Sequence, residues 1–474
     1  MAAIQPRRKR KSVRGFVIAW VVITAMMGAI TFAAIYTAYG VLQEDPIVDA
    51  PQQRSLAIPT ATPEKDDAAA VAQAVTPVPT LRPSATPQPT ADSQAIALAQ
   101  AQQVDPTAVP TTLPVNDRTY AVGIQVQESF DNQDVWMSTV VDQLHMNWIK
   151  QQVRWEDIEP ERGQFDWGLL DTVLPSAADH GLYVMLSIVT APDWAREQGV
   201  DLSRHGPPEN VQDYSNFVAQ ILQRYPGMVH AIEVWNEQNL DREWTSTRGL
   251  TAANYVELLR ETFQTVKAID PGIIVISGAL SPTGFSDGIA AWDDFVYMDQ
   301  LIAAGMLNYA DCVGAHHNGI NIGPSVTWDN VPNDPTATFR GPFDNPHHSW
   351  SFRSTLQTYA NKVALAGGDQ PLCVTEFGWA STEDMDGFPQ GFEFANDNTL
   401  AEQRDWTIEA LNNMEQWDIV WLAFLWNLNY GPQAGWDSSN DNVPYSIIGP
   451  DWNFRPVFDA LGDWQLQYQE RIGQ

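Results

Sequence analysis

Cysteine is scarce in this 474-residue sequence: there are only two, Cys312 and Cys373. Two cysteines cannot form a disulfide-rich framework, and neither has the Cys/His spacing of a structural zinc site. Both fall on strands that we predict below to be neighbours, so a bridge between them is feasible. Of the two alternatives, we favour a pair of buried free thiols.

Basic residues are also few, with 26 Lys and Arg against 58 Asp and Glu and a formal net charge of −32. This balance argues against nucleic acid or an anionic membrane surface as a partner, and we attribute most of the charge to solubility. No glycine-rich phosphate loop follows any predicted strand, which argues against a doubly wound nucleotide-binding sheet.

The N-terminal region predicts a membrane anchor. Residues 1–14 form a basic tail, and residues 15–42 are uncharged and predominantly apolar. About 20 apolar residues span a bilayer, whereas a cleaved signal peptide, the alternative, has an apolar region of about 7–15. We therefore predict a single transmembrane anchor at 15–42, with the basic tail in the cytoplasm and the rest of the chain outside the cell membrane.

Residues 43–117 are rich in Pro, Thr, Ala and Gln and have few aromatic residues. Such a composition cannot bury enough surface to offset its chain entropy. We predict a disordered, semi-rigid linker that holds the remaining domain, residues 118–474, away from the membrane.

From residue 120 onward, apolar runs alternate with amphipathic runs. The predicted strands are 120–126, 148–154, 182–189, 230–236, 272–279, 311–317, 372–377 and 418–426. Helical candidates between them include 135–146, 211–224, 253–269, 354–366 and 400–415. Eight strands, each followed by a helix, predict an α/β fold of the (β/α)8 TIM-barrel type.

In such barrels the chemistry lies at the carboxyl ends of the strands. There the sequence places two acids, Glu237 after the fourth strand and Glu376 at the end of the seventh. Two carboxylates across one cleft are what glycosidic bond cleavage requires. Burial at a strand end predicts a raised pKa for Glu237 and a role as proton donor. Arg154, at the end of the second strand, could hold the Glu376 carboxylate, or it could pair with acids next to it at the surface.

Other polar and aromatic side chains fall on the same predicted rim. Asn236 offers an amide beside Glu237, and tryptophan faces could stack against a sugar ring: the candidates are Trp155, Trp235, Trp379 and Trp426. His316 and His317 are adjacent on a strand, so at most one of them enters the barrel mouth. We interpret them as substrate- or Glu-contacting residues and predict no metal site, even with His347 and His348 nearby.

Two motifs resemble those of clan A glycoside hydrolases, the TIM-barrel enzymes that include cellulases, β-mannanases and β-xylosidases near families 5 and 39. Trp235-Asn236-Glu237 is similar to their fourth-strand signature, and Thr375-Glu376-Phe377-Gly378 to their seventh-strand nucleophile motif. Arg154-Trp155 and the segment 159–167 are similar to their second-strand region.

The resemblance covers residue 120 to the C-terminus and implies specific roles. Glu237 would be the acid/base, Glu376 the nucleophile, Asn236 the ligand of the sugar 2-hydroxyl, Arg154 the nucleophile's partner and Trp426 the platform. In place of the tyrosine that many members carry on strand six, this chain has His316 and His317. One of these histidines, or Tyr430 from the next loop, would then contact the nucleophile.

The expected function is a membrane-tethered, extracellular retaining glycoside hydrolase of β-linked glycans. We expect the protein to act on an oligo- or polysaccharide substrate without a cofactor, and we expect its catalytic domain to be monomeric. Two alternatives remain open, a non-catalytic glycan-binding barrel and an inverting hydrolase.

Overall fold

We analysed a computed structural model that describes residues 118–127, 133–337, 340 and 346–473. The predicted basic tail (1–14), anchor (15–42) and linker (43–117, with 118 the first described residue) lie outside these ranges. Within them, no helix is both long and apolar enough to cross a membrane.

The described chain folds into a parallel barrel of eight strands. They are β1 Ala121–Gln125, β2 Trp148–Arg154, β3 Tyr183–Val189, β4 Ala231–Val234, β5 Ile274–Ser277, β6 Val313–Gly319, β7 Leu372–Trp379 and β8 Val420–Leu425. The hydrogen-bonded order is β5-β4-β3-β2-β1-β8-β7-β6. Parallel bridges from Ile276 to Cys312 and from Leu280 to Ala315 close the ring between β5 and β6. The predicted TIM barrel, with all eight of its strands, is confirmed.

A helix follows each strand and covers the outside of the barrel. The helices are Gln133–Ser138 continuing into a π-helical turn at Thr139–Gln143, Gly168–Asp179, Val211–Arg224, Ala252–Ile269, Asp294–Ala303, Phe352–Leu365, Leu400–Trp417 and Pro456–Ile472. Shorter helical turns lie in the loops at Trp155–Ile158, Glu393–Asp397 and Tyr430–Gln433.

Side-chain caps define where several helices begin. Asn210 accepts a hydrogen bond from the Gln212 amide, and Thr399 with Glu402 forms a capping box. Each cap satisfies backbone N–H groups that have no partner within the helix. All five helical candidates from the sequence are present: 211–224 has the predicted ends, and the ends of the other four differ by a few residues.

The barrel interior beneath the site is apolar. Trp148, Met185, Ala231 and Phe424, from four different strands, belong to one buried cluster. Cys312 and Cys373 belong to it as well, and they form a disulfide with a Cα–Cα distance of 5.7 Å. Our preference for free thiols was wrong, because Cys312, directly before β6, and Cys373 on the neighbouring strand β7 come close enough for a disulfide.

Candidate active site

The loop after β4 brings Glu237 to the carboxyl edge of the barrel. Trp235 and Glu237 have left-handed backbone angles, with φ of 76° and 45°. Residues with a Cβ rarely adopt this conformation, which is concentrated at functional sites. The Glu237 amide donates to the Ala279 carbonyl at 2.9 Å, and this hydrogen bond fixes the turn.

His316 on β6 contacts both acids. Its Nδ1 lies 3.2 Å from Glu237 Oε1 and 3.7 Å from Glu376 Oε2. These two carboxylate oxygens can therefore be no farther apart than the sum of the two distances, about 7 Å. The two acids, which are distant in sequence, therefore converge on one cleft, as predicted.

A lysine that the sequence analysis overlooked holds Glu376. Lys150, in the middle of β2, has no solvent exposure. Its Nζ donates to Glu376 Oε1 at 2.7 Å and to the Thr375 carbonyl at 3.2 Å. It also lies 3.8 Å from Oε2 of the fully buried Glu233. A buried ammonium needs such partners, and through them Lys150 holds Glu376, the candidate nucleophile, against the barrel interior.

An irregularity in β7 explains how successive side chains can both face inward. The β7–β8 register shifts between Val374 and Phe377. As a result the Thr375 hydroxyl donates to Glu233 Oε1 at 2.6 Å, while the next side chain, Glu376, reaches Lys150. Bulges commonly re-aim side chains in this way next to active sites.

The pKa of Glu237 is shifted in the direction opposite to our expectation. Burial alone would raise it, but hydrogen bonds and charges from His316 and Arg242 outweigh burial and lower the pKa of Glu237 to about 2. For His316, burial opposes the charged form, and the negative charges of Glu376, Glu237 and Glu233 raise its pKa overall. Both shifts favour a proton on His316 over a proton on Glu237.

Arg154 does not reach the acids. Its side chain is 42% exposed and forms ion pairs with Glu156 and with Asp157, the latter at 3.2 Å. Arg154 therefore pairs with neighbouring acids at the surface, which was the second of its two predicted roles. Lys150 holds the Glu376 carboxylate instead. The physical reason is depth: Lys150 lies inside the barrel, whereas Arg154 ends the strand and turns towards solvent.

Most of the candidate tryptophans are core residues. Trp155, Trp235 and Trp379 are at most 1% exposed, and Trp379 donates its Nε1–H to the Ile322 carbonyl. Their faces are covered by protein, so they offer no platform for a sugar. Trp426 is also buried, at 8% exposed, but it follows β8, and its ring centroid lies 5.5 Å from Lys150 Nζ and 4.9 Å from the centroid of the Tyr430 ring.

Asn236 lies in the loop after β4, and His316 and His317 are neighbours on β6. The Asn236 Oδ1 is shielded from solvent and accepts no hydrogen bond from the described residues. His316 contacts the acids, whereas the buried His317 packs its ring edge-on against Phe352, with the centroids 5.7 Å apart. Only one of the adjacent histidines meets the acids, as predicted from strand alternation.

A cavity opens beside Glu237 and His316. Its walls include Ser281 and Thr283 after β5, and Arg340 and Trp350 from the long connection after β6. Glu237 lines this cavity and Glu376 does not, so the cavity extends from the Glu237 side of the site.

One cluster in the described ranges has the residue types of a metal site: Asp293, His347 and His348. Its geometry is that of a hydrogen-bonded cluster. His348 Nε2 lies 2.7 Å from Asp293 Oδ2, and the Ser349 amide donates to His347 Nδ1. The latter bond leaves the proton of a neutral His347 on Nε2, the atom that faces Asp293, and so disfavours metal coordination there.

The overlooked residues had a signal in the sequence. Lys150 and Glu233 are charged residues in the middle of strands predicted to be buried, where charges occur only with partners. Opposite charges on β2 and β4 could have been predicted to meet inside the barrel. Arg242, in the polar segment after Glu237, had no comparable signal.

The fold and the paired acids define a class: a (β/α)8 barrel with two carboxylates at the carboxyl edge of β4 and β7, as in clan A glycoside hydrolases. The glycoside hydrolase family 42 model, described as beta-galactosidase, matches residues 127–221. This match indicates a glycoside hydrolase, although it ends before Glu237.

Among solved structures, a family 39 glycoside hydrolase from the gut symbiont Bacteroides cellulosilyticus WH2 is 17% identical, with a TM-score of 0.52 and coverage of 75% of this chain and 65% of that one. The exo-beta-1,4-mannosidase Op5Man5 from Opitutaceae bacterium strain TAV5 is 13% identical, with a TM-score of 0.48 and coverage of 78% and 63%. The beta-glycosidase BGL167 is 15% identical, with a TM-score of 0.49 and coverage of 75% and 98%.

This chain thus spans less than two thirds of the family 39 and mannosidase chains. At 17% identity and a TM-score of 0.52, the likeness to the family 39 structure shows the fold. The resemblance to glycoside hydrolases predicted from the sequence is supported by the family model that matches residues 127–221.

Proposed function

We propose that this protein is a retaining glycoside hydrolase that cleaves O-glycosidic bonds of β-linked glycans, with Glu376 as nucleophile and Glu237 as acid/base. The observation that carries the proposal is the contact of both acids with one histidine. Retaining enzymes separate their carboxyl groups by about 5–5.5 Å and inverting enzymes by about 6.5–9.5 Å. The upper bound of about 7 Å, which applies to one pair of carboxylate oxygens, lies below most of the inverting range and supports retention.

In the first step the Glu376 carboxylate attacks the anomeric carbon. The bond from that carbon to the leaving oxygen breaks, its electron pair stays on the oxygen, and Glu237 passes to that oxygen the proton that the Glu237–His316 pair holds. The product is a glycosyl ester on Glu376 and a free alcohol. Lys150 assists by holding the other oxygen of Glu376 in place.

In the second step water attacks the same anomeric carbon. Glu237, now a carboxylate, takes the proton of the water, and Glu376 leaves with the electron pair of the ester bond. Two displacements return the original anomeric configuration. His316 supports both steps because it can donate a hydrogen bond to the Glu237 carboxylate.

The substrate contacts follow from the remaining groups of the cleft. The Asn236 amide, whose oxygen has no partner among the described residues, is suited to a sugar hydroxyl. Trp426 and Tyr430 offer adjoining aromatic surfaces at the end of β8. Sugar rings commonly pack their apolar faces on such rings, so we assign these two residues to substrate binding.

We further propose that the barrel works outside the cell membrane, attached through residues 15–42 and spaced from it by residues 43–117. The order of the basic tail and the apolar run supports this orientation. The disulfide between Cys312 and Cys373 is consistent with an oxidising compartment.

The central test is Glu376→Gly on a panel of aryl β-glycosides. We expect turnover to be lost, and added azide to restore it by forming a glycosyl azide in the vacated space. Glu209→Gly, at an exposed loop glutamate, is the matched control and should retain activity. Survival of activity in Glu376→Gly would show that the nucleophile is misassigned.

Two further readouts separate the alternatives. The anomer of the first-formed product, followed by NMR, distinguishes retention from inversion. The glycan-binding alternative predicts binding of oligosaccharides without turnover of any glycoside by the unmodified protein.

A further inference from the structure

Trp452 presents an aromatic ring to solvent at the carboxyl edge of the barrel. It lies in the loop between β8 and the helix Pro456–Ile472, and it is 59% exposed. Single exposed apolar residues are common on protein surfaces, so the surroundings of the ring decide whether it forms a site.

The Trp452 ring belongs to an aromatic cluster. Trp136, from the helix Gln133–Ser138, stacks on it with the ring planes 15° apart and the centroids 6.1 Å apart. The half-buried Trp436 meets it edge to face, with the centroids 5.5 Å apart. These two contacts hold the orientation of the ring, yet more than half of Trp452 remains in solvent. A ring that is already oriented loses little conformational freedom when a ligand packs on it.

A short hairpin carries Trp452 at its tip. Ile448 and Phe454 form an antiparallel bridge at its base. At the tip, Asp451 and Trp452 both have left-handed backbone angles, with φ of 57° and 63°. A bulky residue rarely adopts this conformation, which persists only where the surrounding structure imposes it and is concentrated at functional sites.

A buried ion pair anchors the hairpin. Arg455, which directly follows Phe454, is buried and pairs with Asp384 from the loop after β7 at 2.6 Å. Its Nη1 also donates to the carbonyls of Pro444 and Ser446, at 2.7 and 2.9 Å. The hairpin is therefore tied to two loops at the edge of the barrel.

The cluster is continuous with the aromatic surface that we assign to substrate binding. The Trp436 amide donates to the Gly431 carbonyl at 2.8 Å, and Gly431 directly follows Tyr430. The Tyr430 ring in turn lies 4.9 Å from that of Trp426. Exposure rises along this row, from the buried Trp426 through Tyr430 and Trp436 to the exposed Trp452. A row of rings that begins beside the acids and ends in solvent suits a chain of sugar units.

The charge of this part of the chain indicates a neutral ligand. Residues 431–454 contain three aspartates and no lysine or arginine. Such a surface does not attract nucleic acid, an anionic membrane or an anionic glycan. The same segment is rich in Ser and Asn, whose side chains can hydrogen-bond to sugar hydroxyls.

We propose, on the basis of the function proposed above, that Trp452 is a sugar-stacking platform outside the cleavage site, and that the substrate is a neutral β-linked glycan chain long enough to reach it from Trp426. The exposed ring packs against the apolar face of a pyranose. The platform adds affinity for a chain and takes no part in bond cleavage.

The test compares W452A, which removes the ring, with W452F, which keeps a flat aromatic face. L466A, which shortens an exposed side chain on the outer helix Pro456–Ile472, is the control for loss of exposed apolar surface. Each substitution is made in the full chain. Two quantities are measured: kcat/KM on aryl β-glycosides, and the affinity for the β-1,4-linked hexaoses of glucose, xylose and mannose. Calorimetry gives the affinities, in an E376Q background that blocks turnover.

We expect W452A to weaken binding of the preferred hexaose about tenfold, as for the loss of one aromatic contact, and W452F to weaken it by less than about threefold. L466A should bind like its parent. The kcat/KM on aryl β-glycosides should not change in any of the three variants, because these small substrates occupy the cleavage site alone.

Equal hexaose affinity in W452A and its parent overturns the proposal, and so does the absence of binding of every hexaose by that parent. A fall in aryl-glycoside kcat/KM that matches the loss of affinity also overturns it, because Trp452 would then support the cleavage site itself. So does a change in the mass of W452A in solution, measured by light scattering, because the surface would then be a contact between copies of the chain. Absence of aryl-glycoside turnover in the unmodified protein would instead refute the proposed hydrolase, while the hexaose titrations still decide whether Trp452 binds a glycan.

Discussion

Replacement of Lys150 by methionine tests whether the buried charge network holds the site together. The substitution keeps a similar volume but removes the ammonium that bonds Glu376 at 2.7 Å and lies 3.8 Å from Glu233. Both carboxylates are then left in the barrel interior without their cation. Removing one partner of a buried ion pair typically costs about 3–5 kcal/mol.

We therefore expect Lys150→Met to lower the free energy of unfolding at pH 7 by about 3–5 kcal/mol, measured by urea denaturation. The kcat should fall about a hundredfold, because a displacement of a catalytic group by about 1 Å can have that effect. Adding Glu233→Gln should recover part of the stability, since it removes one of the two uncompensated charges.

Lys362→Met is the matched control. Lys362 pairs with Asp299 at 2.6 Å, but Asp299 is 63% exposed, so this substitution should cost less than about 1 kcal/mol. If Lys150→Met destabilises the protein no more than this control does, the reasoning on the buried network is refuted.

Two more predictions concern stability. Burial raises the pKa of Asp294 to about 6, so its contribution to stability is full below its unfolded pKa, near 4, and is lost as the pH rises through about 6. Asp294→Asn can keep both partners, because its Oδ1 can accept from the Thr283 amide and its Nδ2 can donate to the Tyr359 hydroxyl oxygen. It should be more stable than the unmodified protein by about 1–3 kcal/mol at pH 7.5; urea denaturation at pH 7.5 that shows a loss would contradict this. Cys312→Ala with Cys373→Ala opens a loop of 61 residues and should cost about 4 kcal/mol in the chain-entropy model. Thermal unfolding with and without a reductant checks it, and no effect of the reductant would contradict it.

The sequence by itself determined the fold and the two acids. Strands of a parallel barrel are buried on both faces, so each reads as a local apolar run, and all eight were predictable. Because the carboxyl ends of such strands share one edge, Glu237 and Glu376 could be expected to meet without knowledge of their distance.

Only the tertiary structure decided which side chains act on those acids. Lys150 rather than Arg154 holds Glu376 because of depth in the barrel and a register shift in β7. The pKa of Glu237 is lowered rather than raised because Arg242 and His316 both contact it. The interaction of two charges depends on their separation in space, which strand order and register set. A buried strand can therefore be predicted from its own apolar residues, but the partner of a charged residue cannot be predicted from its neighbours in the sequence.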